Sequence, residues 1–136
     1  MTLFRKMALL LCIGLYQLGS AQQNNGTTRD VPADFTITAQ QLQQILQAPA
    51  GNELQVKNNP IVNQATVLRN ISNGDMQFVR IQLRYYPHAF INVQVNGVYS
   101  TFAFLIDEEQ KLYYKGELNN DAIVLKKCEK DDIVVE

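Results

Sequence analysis

The chain has 136 residues and a formal net charge of −1, from 12 basic and 13 acidic side chains. This length is enough for one domain and not for two. The acidic excess is gathered after Asp107. This balance argues against nucleic acid and against an anionic membrane as partners, because both attract a cationic protein surface.

The first segment has the order of a secretory signal peptide. Arg5 and Lys6 give a positive start, the apolar run MALLLCIGLYQL follows, and the small residues of GSA fit cleavage after Ala21. As a helix the run spans roughly 18 Å of a ~30 Å hydrocarbon core, so a membrane anchor is the weaker alternative. We expect residues 1–21 to be a signal peptide, 22–33 a flexible polar leader and 34–136 a single domain, secreted or periplasmic and not inserted in a membrane.

Cysteine usage fits an exported protein that is held together by its core. Cleavage removes Cys12 and leaves Cys128 as the one cysteine of the mature chain. A single cysteine forms no internal disulfide, so apolar burial has to supply the stability. We expect Cys128 to be a small buried side chain near a strand end, with an intermolecular disulfide or a reactive thiol as alternatives.

One helix is signalled after Thr38. Thr38 and Gln41 fit a capping box, in which the threonine hydroxyl accepts the Gln41 N–H and the glutamine side chain reaches back. The apolar positions that follow form one stripe, made of Ala39, Leu42, Ile45 and Leu46. Because a helix this short is unstable alone, we expect the stripe to pack on the core. Docking of the stripe on a partner or a membrane is the alternative.

After the helix the hydrophobic period changes to two, which predicts strands with one buried face. One predicted strand buries Val79, Ile81, Leu83 and Tyr85. The turn SNGD joins it to an antiparallel partner at Ala65–Ile71, a later hairpin joins KLYYKGEL to AIVLKKC, and a last strand is predicted at Ile133–Val135. The predicted fold is mainly β, an antiparallel meander that is strongly curved or two-layered, with one short N-terminal helix. An α+β fold is the alternative.

The segment FINVQVNGVYSTFAFLID contains the strongest hairpin signal, Asn96-Gly97. A two-residue loop there predicts that Val95 faces Val98, Val93 faces Ser100 and Ile91 faces Phe102. The second predicted set pairs Gln94 with Tyr99, Asn92 with Thr101 and Phe90 with Ala103. The first set is nearly all apolar and the second mostly polar, which favours this register.

Asp107 ends that segment and invites a catalytic interpretation. INVQVNGVYSTFAFLID resembles the start of a retropepsin-like aspartic protease, whose strand ends in a catalytic aspartate followed by Thr or Ser and then Gly. Here Glu108 and Glu109 take those two positions, so the tight turn of that family is lost. We therefore interpret Asp107 as a turn residue that ends a strand.

No residue pattern predicts an enzyme, a metal site or a cofactor. His88 is the only histidine, and one Cys with scattered carboxylates is not a zinc ligand set. The acidic run CEKDD lacks the spacing and the central glycine of a calcium loop. Glycine-rich phosphate loops and nucleophile-elbow patterns are also missing from the sequence.

The outward sheet face is the remaining candidate site. We expect it to carry Arg80, Gln82, Arg84, Asn92, Gln94, Tyr99 and Thr101. Arg80, Arg84, Tyr99, Gln82 and Gln94 are the predicted partner-binding residues, because arginine, tyrosine and amides make good interface contacts. A merely solvated face is the alternative.

The first functional hypothesis is a small exported, non-catalytic binding module that acts on a protein partner, as an inhibitor, an immunity protein or an assembly accessory. The second is a carrier of a small apolar ligand, with a cavity lined by Phe102, Phe104, Tyr85, Tyr114 and Leu112. Self-association through edge strands or through Cys128 is a further expectation.

Overall fold

The computed structural model describes residues 32–133. Contacts divide the chain into residues 1–32 and 33–136, and the description below concerns the second unit. The predicted signal peptide and most of the predicted leader lie outside the described residues. So does the predicted last strand beyond Ile133.

Within residues 32–133, eight strands form one antiparallel sheet that curls into a half-barrel. They are β1 Asp34–Thr38, β2 Glu53–Gln55, β3 Gln64–Asn73, β4 Met76–Leu83, β5 Ala89–Asn96, β6 Ser100–Asp107, β7 Leu112–Asn119 and β8 Ala122–Lys127. Their order across the sheet is β1-β8-β7-β6-β5-β4-β3-β2, a meander completed by β1. Helix α1, Ala39–Gln47, connects the two edge strands, and a 3-10 helix, Lys130–Asp132, follows β8. The predicted mainly β meander with one short helix is confirmed.

Helix α1 begins as the sequence predicts. The Thr38 hydroxyl accepts the Gln41 N–H at 3.2 Å, and Gln41 Oε1 accepts the Thr38 N–H at 3.0 Å. Leu42 and Ile45 are buried, so the predicted packing of the stripe on the core is confirmed, although Ala39 is exposed. Neither helix of residues 32–133 has the length and apolar character needed to cross a membrane.

The core lies between α1 and one face of the sheet. Side chains with no solvent exposure on this face come from the edge strand β1 as well as from central strands: Ile37, Val67, Val79, Ile81, Ile91, Val93, Ala103, Tyr114, Ile123 and Leu125. Val56 and Val62, from the segment between β2 and β3, are buried as well. The ring of Phe35 meets that of Tyr114 edge to face at 5.4 Å between centroids, a favourable aromatic geometry.

The hairpin predicted at SNGD is confirmed, and its second strand, β4, ends earlier than predicted. Gly74 and Asp75 form the loop between β3 and β4, and Gly74 has a φ of 61°, which glycine adopts without strain. Val79, Ile81 and Leu83 are buried as predicted. Tyr85 is 60% exposed, because β4 ends at Leu83.

The register predicted for the next hairpin is wrong by three residues. Asn96 pairs with Ser100, so the loop is Gly97–Tyr99 and Val93 faces Ala103. Because this error is odd, it exchanges the faces of β6: Val93 and Phe102, predicted to share a side of the sheet, lie on opposite sides. Both faces of β6 carry large apolar residues, which left the alternation ambiguous. The Gly97 N–H also donates to the Asp75 oxygen at 3.0 Å, which ties the longer loop to the β3–β4 turn.

The edge strands β1 and β2 are linked by side-chain amides. Asn59 is 4% exposed, and its Nδ2 donates to the Thr36 oxygen of β1 and to Gln41 Oε1. Its Oδ1 accepts the N–H groups of Ile61 and Val62. Gln44 Nε2 donates to the Gln55 oxygen of β2. These bonds use edge carbonyls that would otherwise be available to another strand.

Candidate functional site

The sheet face turned away from α1, here called the open face, is the candidate site. Among the described residues no secondary-structure element covers the centre of this face, whereas the opposite face is buried under α1. The open face carries the residues of β4, β5 and β6 that alternate with the core positions. An antiparallel sheet commonly leaves one face to solvent, so the chemistry of this face decides whether it is a site.

The open face is rich in aromatic side chains. Its aromatic patch consists of Phe78, Phe90, Phe102 and Phe104, and all of these are half-buried. The rings of Phe102 and Phe104 are nearly parallel, with 6.3 Å between centroids and 15° between planes. Ile71, Met76 and Val124 add apolar side chains that are 41–47% exposed. Gln94 and Glu117 alternate with these apolar side chains across the sheet. Exposed apolar surface of this extent, bordered by polar residues, is typical of an interaction site.

A row of cations crosses the open face beside the aromatic patch. Cross-strand pairing aligns Arg69 with Arg80, Arg80 with Asn92, Asn92 with Phe104, Phe104 with Lys115, and Lys115 with Lys126. We call Arg69, Arg80, Lys115 and Lys126 the basic row. The ion pairs between described residues are His88–Glu109 and Lys130–Glu108, so no member of the basic row pairs with a described carboxylate.

Arg80 lies at the centre of β4 with an incomplete set of hydrogen bonds. Its guanidinium carbon is 4.3 Å from the centroid of the Phe90 ring, a cation–π geometry. Arg80 Nε and Asn92 Oδ1 are buried and have no hydrogen-bond partner among the described residues. Both polar groups are on the open face, on neighbouring strands.

A groove of about 680 Å³ runs over the β5–β8 part of the open face. Phe102, Phe104 and Val124 line its apolar part, and Lys115 and Lys126 line its basic part. The floor is shaped by Gly116, because a Cβ built there would overlap the Val124 carbonyl oxygen and lie 2.9 Å from Ile123 Cγ2. The glycine therefore permits the close approach of β7 and β8 beneath the groove.

The structure brings together three of the five predicted partner-binding residues. Arg80, Gln82 and Gln94 lie on the open face, where Gln94 is exposed and Gln82 Nε2 donates to the Pro87 oxygen at 2.9 Å. The prediction that Arg84 and Tyr99 also lie on the strands is wrong. Arg84 follows the end of β4, and Tyr99 is 92% exposed in the β5–β6 loop, at the other end of the sheet.

The residues predicted to line a ligand cavity do not surround one space. Tyr114 lies in the core with no solvent exposure, whereas Phe102 and Phe104 are on the open face and Tyr85 is in a loop. Burial raises the pKa of Tyr114 to about 12. The register error explains the misplacement of Phe102 and Phe104, and the end of β4 at Leu83 explains that of Tyr85.

The carboxylates at the end of β6 and directly after it have structural partners. Asp107 is 3% exposed, and its Oδ1 accepts the Gln110 N–H at 3.0 Å, which confirms its role as a turn residue. Glu108 accepts the Tyr113 hydroxyl at 2.9 Å and Lys130 Nζ at 3.0 Å. The hydrogen bond from Lys130, followed by that from Tyr113, lowers the pKa of Glu108.

The other candidate groups are His88 and Cys128. His88 Nε2 is 2.9 Å from Glu109 Oε2 at an exposed position between two loops. Within residues 32–133 no cluster of three or more His, Cys, Asp or Glu side chains is arranged to hold a metal ion. Cys128 directly follows β8 and is half-buried, with its N–H donating to the Tyr113 oxygen at 2.9 Å.

Comparison with protein-family models, with curated proteins and with solved structures finds no significant match for this chain. Sequence reasoning missed Arg69, Lys115 and Lys126 and the four aromatic rings as one surface. The alternation of charge and aromatic residues in STFAFLID and LYYKGEL was the available signal, but it needed the correct register to be interpreted.

Proposed function

We propose that this chain is a small exported, non-catalytic binding module that holds a protein partner on its open face. The observation that carries the proposal is the contrast between the two faces of one sheet. The face under α1 is filled with fully buried aliphatic side chains, while the open face displays half-buried phenylalanines and a partly desolvated arginine. Aromatic residues and arginine are enriched at the energetic centres of protein interfaces.

Arg80 and Gln94 are the proposed central polar contacts, with Phe102 and Phe104 as apolar anchors. Arg84 and Tyr99 lie beyond opposite ends of the open face and take part only if the partner spans the whole sheet. The proposal of export depends on the signal-like order of residues 1–21. The proposal of a protein partner, rather than nucleic acid or a membrane, is supported by the acidic net charge.

Site-specific photo-crosslinking from Gln94 tests this proposal. Gln94 is exposed on the open face, and Gln43 of α1 is an exposed control on the other side of the domain. A partner identified by crosslinking in the exported fraction of the source cells is then purified, and its Kd for the chain is measured. We expect crosslinks from position 94 and not from position 43, and a Kd at least about tenfold weaker for Phe102→Ala or Phe104→Ala.

Equal crosslinking from both positions, or an unchanged Kd in both phenylalanine variants with an intact fold by circular dichroism, would overturn the proposal. Gln43→Ala is the matched variant that should leave the Kd unchanged. Arg84→Ala and Tyr99→Ala then measure whether the partner reaches the ends of the sheet.

Carriage of a small apolar ligand is the second candidate function. The groove of about 680 Å³ has a volume in the range of small-ligand sites, roughly 300–1,000 Å³, and two phenylalanines line it. Native mass spectrometry of the protein purified from its source separates the two candidates. A stoichiometric small molecule that is lost in Phe102→Ala would favour the carrier.

A further inference from the structure

The basic row contains two pairs of like charges, an arrangement that a merely solvated face does not require. Arg69 lies directly opposite Arg80, and Lys115 directly opposite Lys126. Like charges in directly opposed cross-strand positions destabilise a sheet. The sheet thus carries two like-charge pairs on one face.

No ion pair among the described residues neutralises these pairs. Asp34 is the Cα partner of Lys126 on β1, but the two side chains form no ion pair. Lys115 Nζ donates to the Asp132 backbone oxygen at 3.3 Å, a neutral acceptor. Glu117 and Asp132 line the groove as well, next to Lys115 and Lys126. The guanidinium of Arg80 lies over the Phe90 ring and forms no ion pair with a described carboxylate.

The two pairs are separated by a distance that an extended peptide can match. Neighbouring strands lie ~4.8 Å apart, so Arg80 on β4 and Lys115 on β7 are roughly 14 Å apart across the sheet. An extended chain advances ~3.3 Å per residue, so side chains at positions i and i+4 reach both pairs. The side chain at i+2, ~6.6 Å along the segment, then lies between Asn92 and Phe104 in the same row, within reach of the Phe104 ring.

We infer that the open face recognises an acidic, extended segment of its protein partner, with carboxylates four residues apart and an apolar side chain midway between them. Each carboxylate meets one like-charge pair of the basic row, and the apolar side chain packs on Phe104 and Phe102. This inference rests on the proposed function and specifies the chemistry of its partner. The charge complementarity is local, since the chain as a whole is acidic.

Two capped peptides test the inference, TETFTET and its neutral counterpart TQTFTQT. Their affinities are measured by NMR titration of the folded domain at low salt. We expect TETFTET to bind about tenfold more tightly, with shifts confined to β3–β8, and to lose that advantage when salt is raised. Equal affinity of the two peptides overturns the inference.

Charge-reversal variants assign the effect to the basic row. Lys126→Glu should remove most of the preference for TETFTET, while Lys57→Glu, at an exposed lysine in the segment between β2 and β3, should leave it unchanged. Equal losses in both variants would show a general charge effect and overturn the inference. Binding to phosphatidylglycerol vesicles over phosphatidylcholine vesicles, without a preference between the peptides, assigns the row to a lipid surface and also overturns it.

The inference and the proposed function fail in different ways. In one outcome, binding of the native partner depends on Phe102, but Lys115→Glu and Lys126→Glu bind it as tightly as the wild type. The inference of an acidic segment is then wrong, and the proposal that the open face binds the partner still holds. If the native partner ignores Phe102 and Phe104, both are wrong.

Discussion

Asn59 Nδ2 lies 2.9 Å from the backbone oxygen of Thr36, a contact that joins residues 23 positions apart. The same amide accepts two N–H groups of its own loop, so one buried side chain both shapes the segment after β2 and fixes it to β1. The half-barrel has its edge strands far apart in the sheet order, and Asn59 with α1 bridges them.

Asn59→Ala should lower the free energy of unfolding by about 2–3 kcal/mol, because it leaves buried backbone groups without partners. Asn59→Asp keeps the acceptor for Ile61 and Val62 but loses the donor to Thr36, so it should also be destabilising. Asn63→Ala, at an exposed asparagine of the same segment, is the control and should change stability by less than about 0.5 kcal/mol. Urea unfolding measures all three, and equal stability of Asn59→Ala and Asn63→Ala would contradict the role of the amide.

Gly116→Ala should destabilise the domain by about 1–3 kcal/mol through overpacking. The added Cβ would meet the Val124 carbonyl, with the Val124 carbonyl carbon at 2.8 Å, so β7 and β8 have to separate. Gly74→Ala is the comparison, because Gly74 has open space around it and a φ of 61°. Its cost of about 1 kcal/mol would come from backbone strain alone. A neutral Gly116→Ala, measured by thermal or urea unfolding, would show that the two strands are not closely apposed.

The buried Tyr114 hydroxyl should make the domain sensitive to alkaline pH. Burial raises the pKa of Tyr114 to about 12, above its ordinary value near 10. Between these values the unfolded chain has lost the proton and the folded chain keeps it, so the free energy of unfolding falls as pH rises. The stabilisation is complete below pH 10 and declines by about 1.4 kcal/mol per pH unit from there to about pH 12.

Tyr114→Phe isolates this effect from the ionisation of other groups. Urea unfolding at several pH values should show a shallower alkaline decline for the variant than for the wild type. Identical slopes for the two proteins would contradict a buried, un-ionised Tyr114.

Cys128 should react slowly in the native state. Burial, followed by the nearby carboxylate of Asp132, raises the pKa of its thiol, which lowers the thiolate fraction at neutral pH. The rate of reaction with a thiol reagent at pH 8 should therefore be lower for the folded protein than for the protein in urea. A native rate equal to or above the unfolded rate would instead favour the reactive-thiol alternative, which the sequence left open.

Local signals in the sequence were sufficient to predict some elements of this fold. The capping box of Thr38 and Gln41 and the glycine turn at Gly74 depend on neighbours within four residues, and both are found as predicted. Strand β1 was not predicted, since its pairing with β8 joins Phe35 to Leu125 across the whole chain. Strand β2 has three residues, too few to show a period.

The sequence predicted that the exposed sheet face is the candidate site, but it did not predict the basic row on that face. Arg80, Gln82 and Gln94 follow from the alternation of β4 and β5, which was interpreted correctly. The basic row needs residues from β3, β4, β7 and β8 in one cross-strand register. The hairpin loop between β5 and β6 is one residue longer than predicted. The resulting odd error in register exchanged the faces of β6, so the sequence did not reveal which residues share the row.

The open face is the proposed binding site for the partner. Hydroxyl-radical footprinting with mass spectrometry measures the solvent accessibility of individual side chains in the free protein and in the complex. We predict that Phe102 and Phe104 lose reactivity when the partner is bound, while Leu46 of α1 does not. Unchanged reactivity of both phenylalanines, with protection on the α1 side, would contradict the claim.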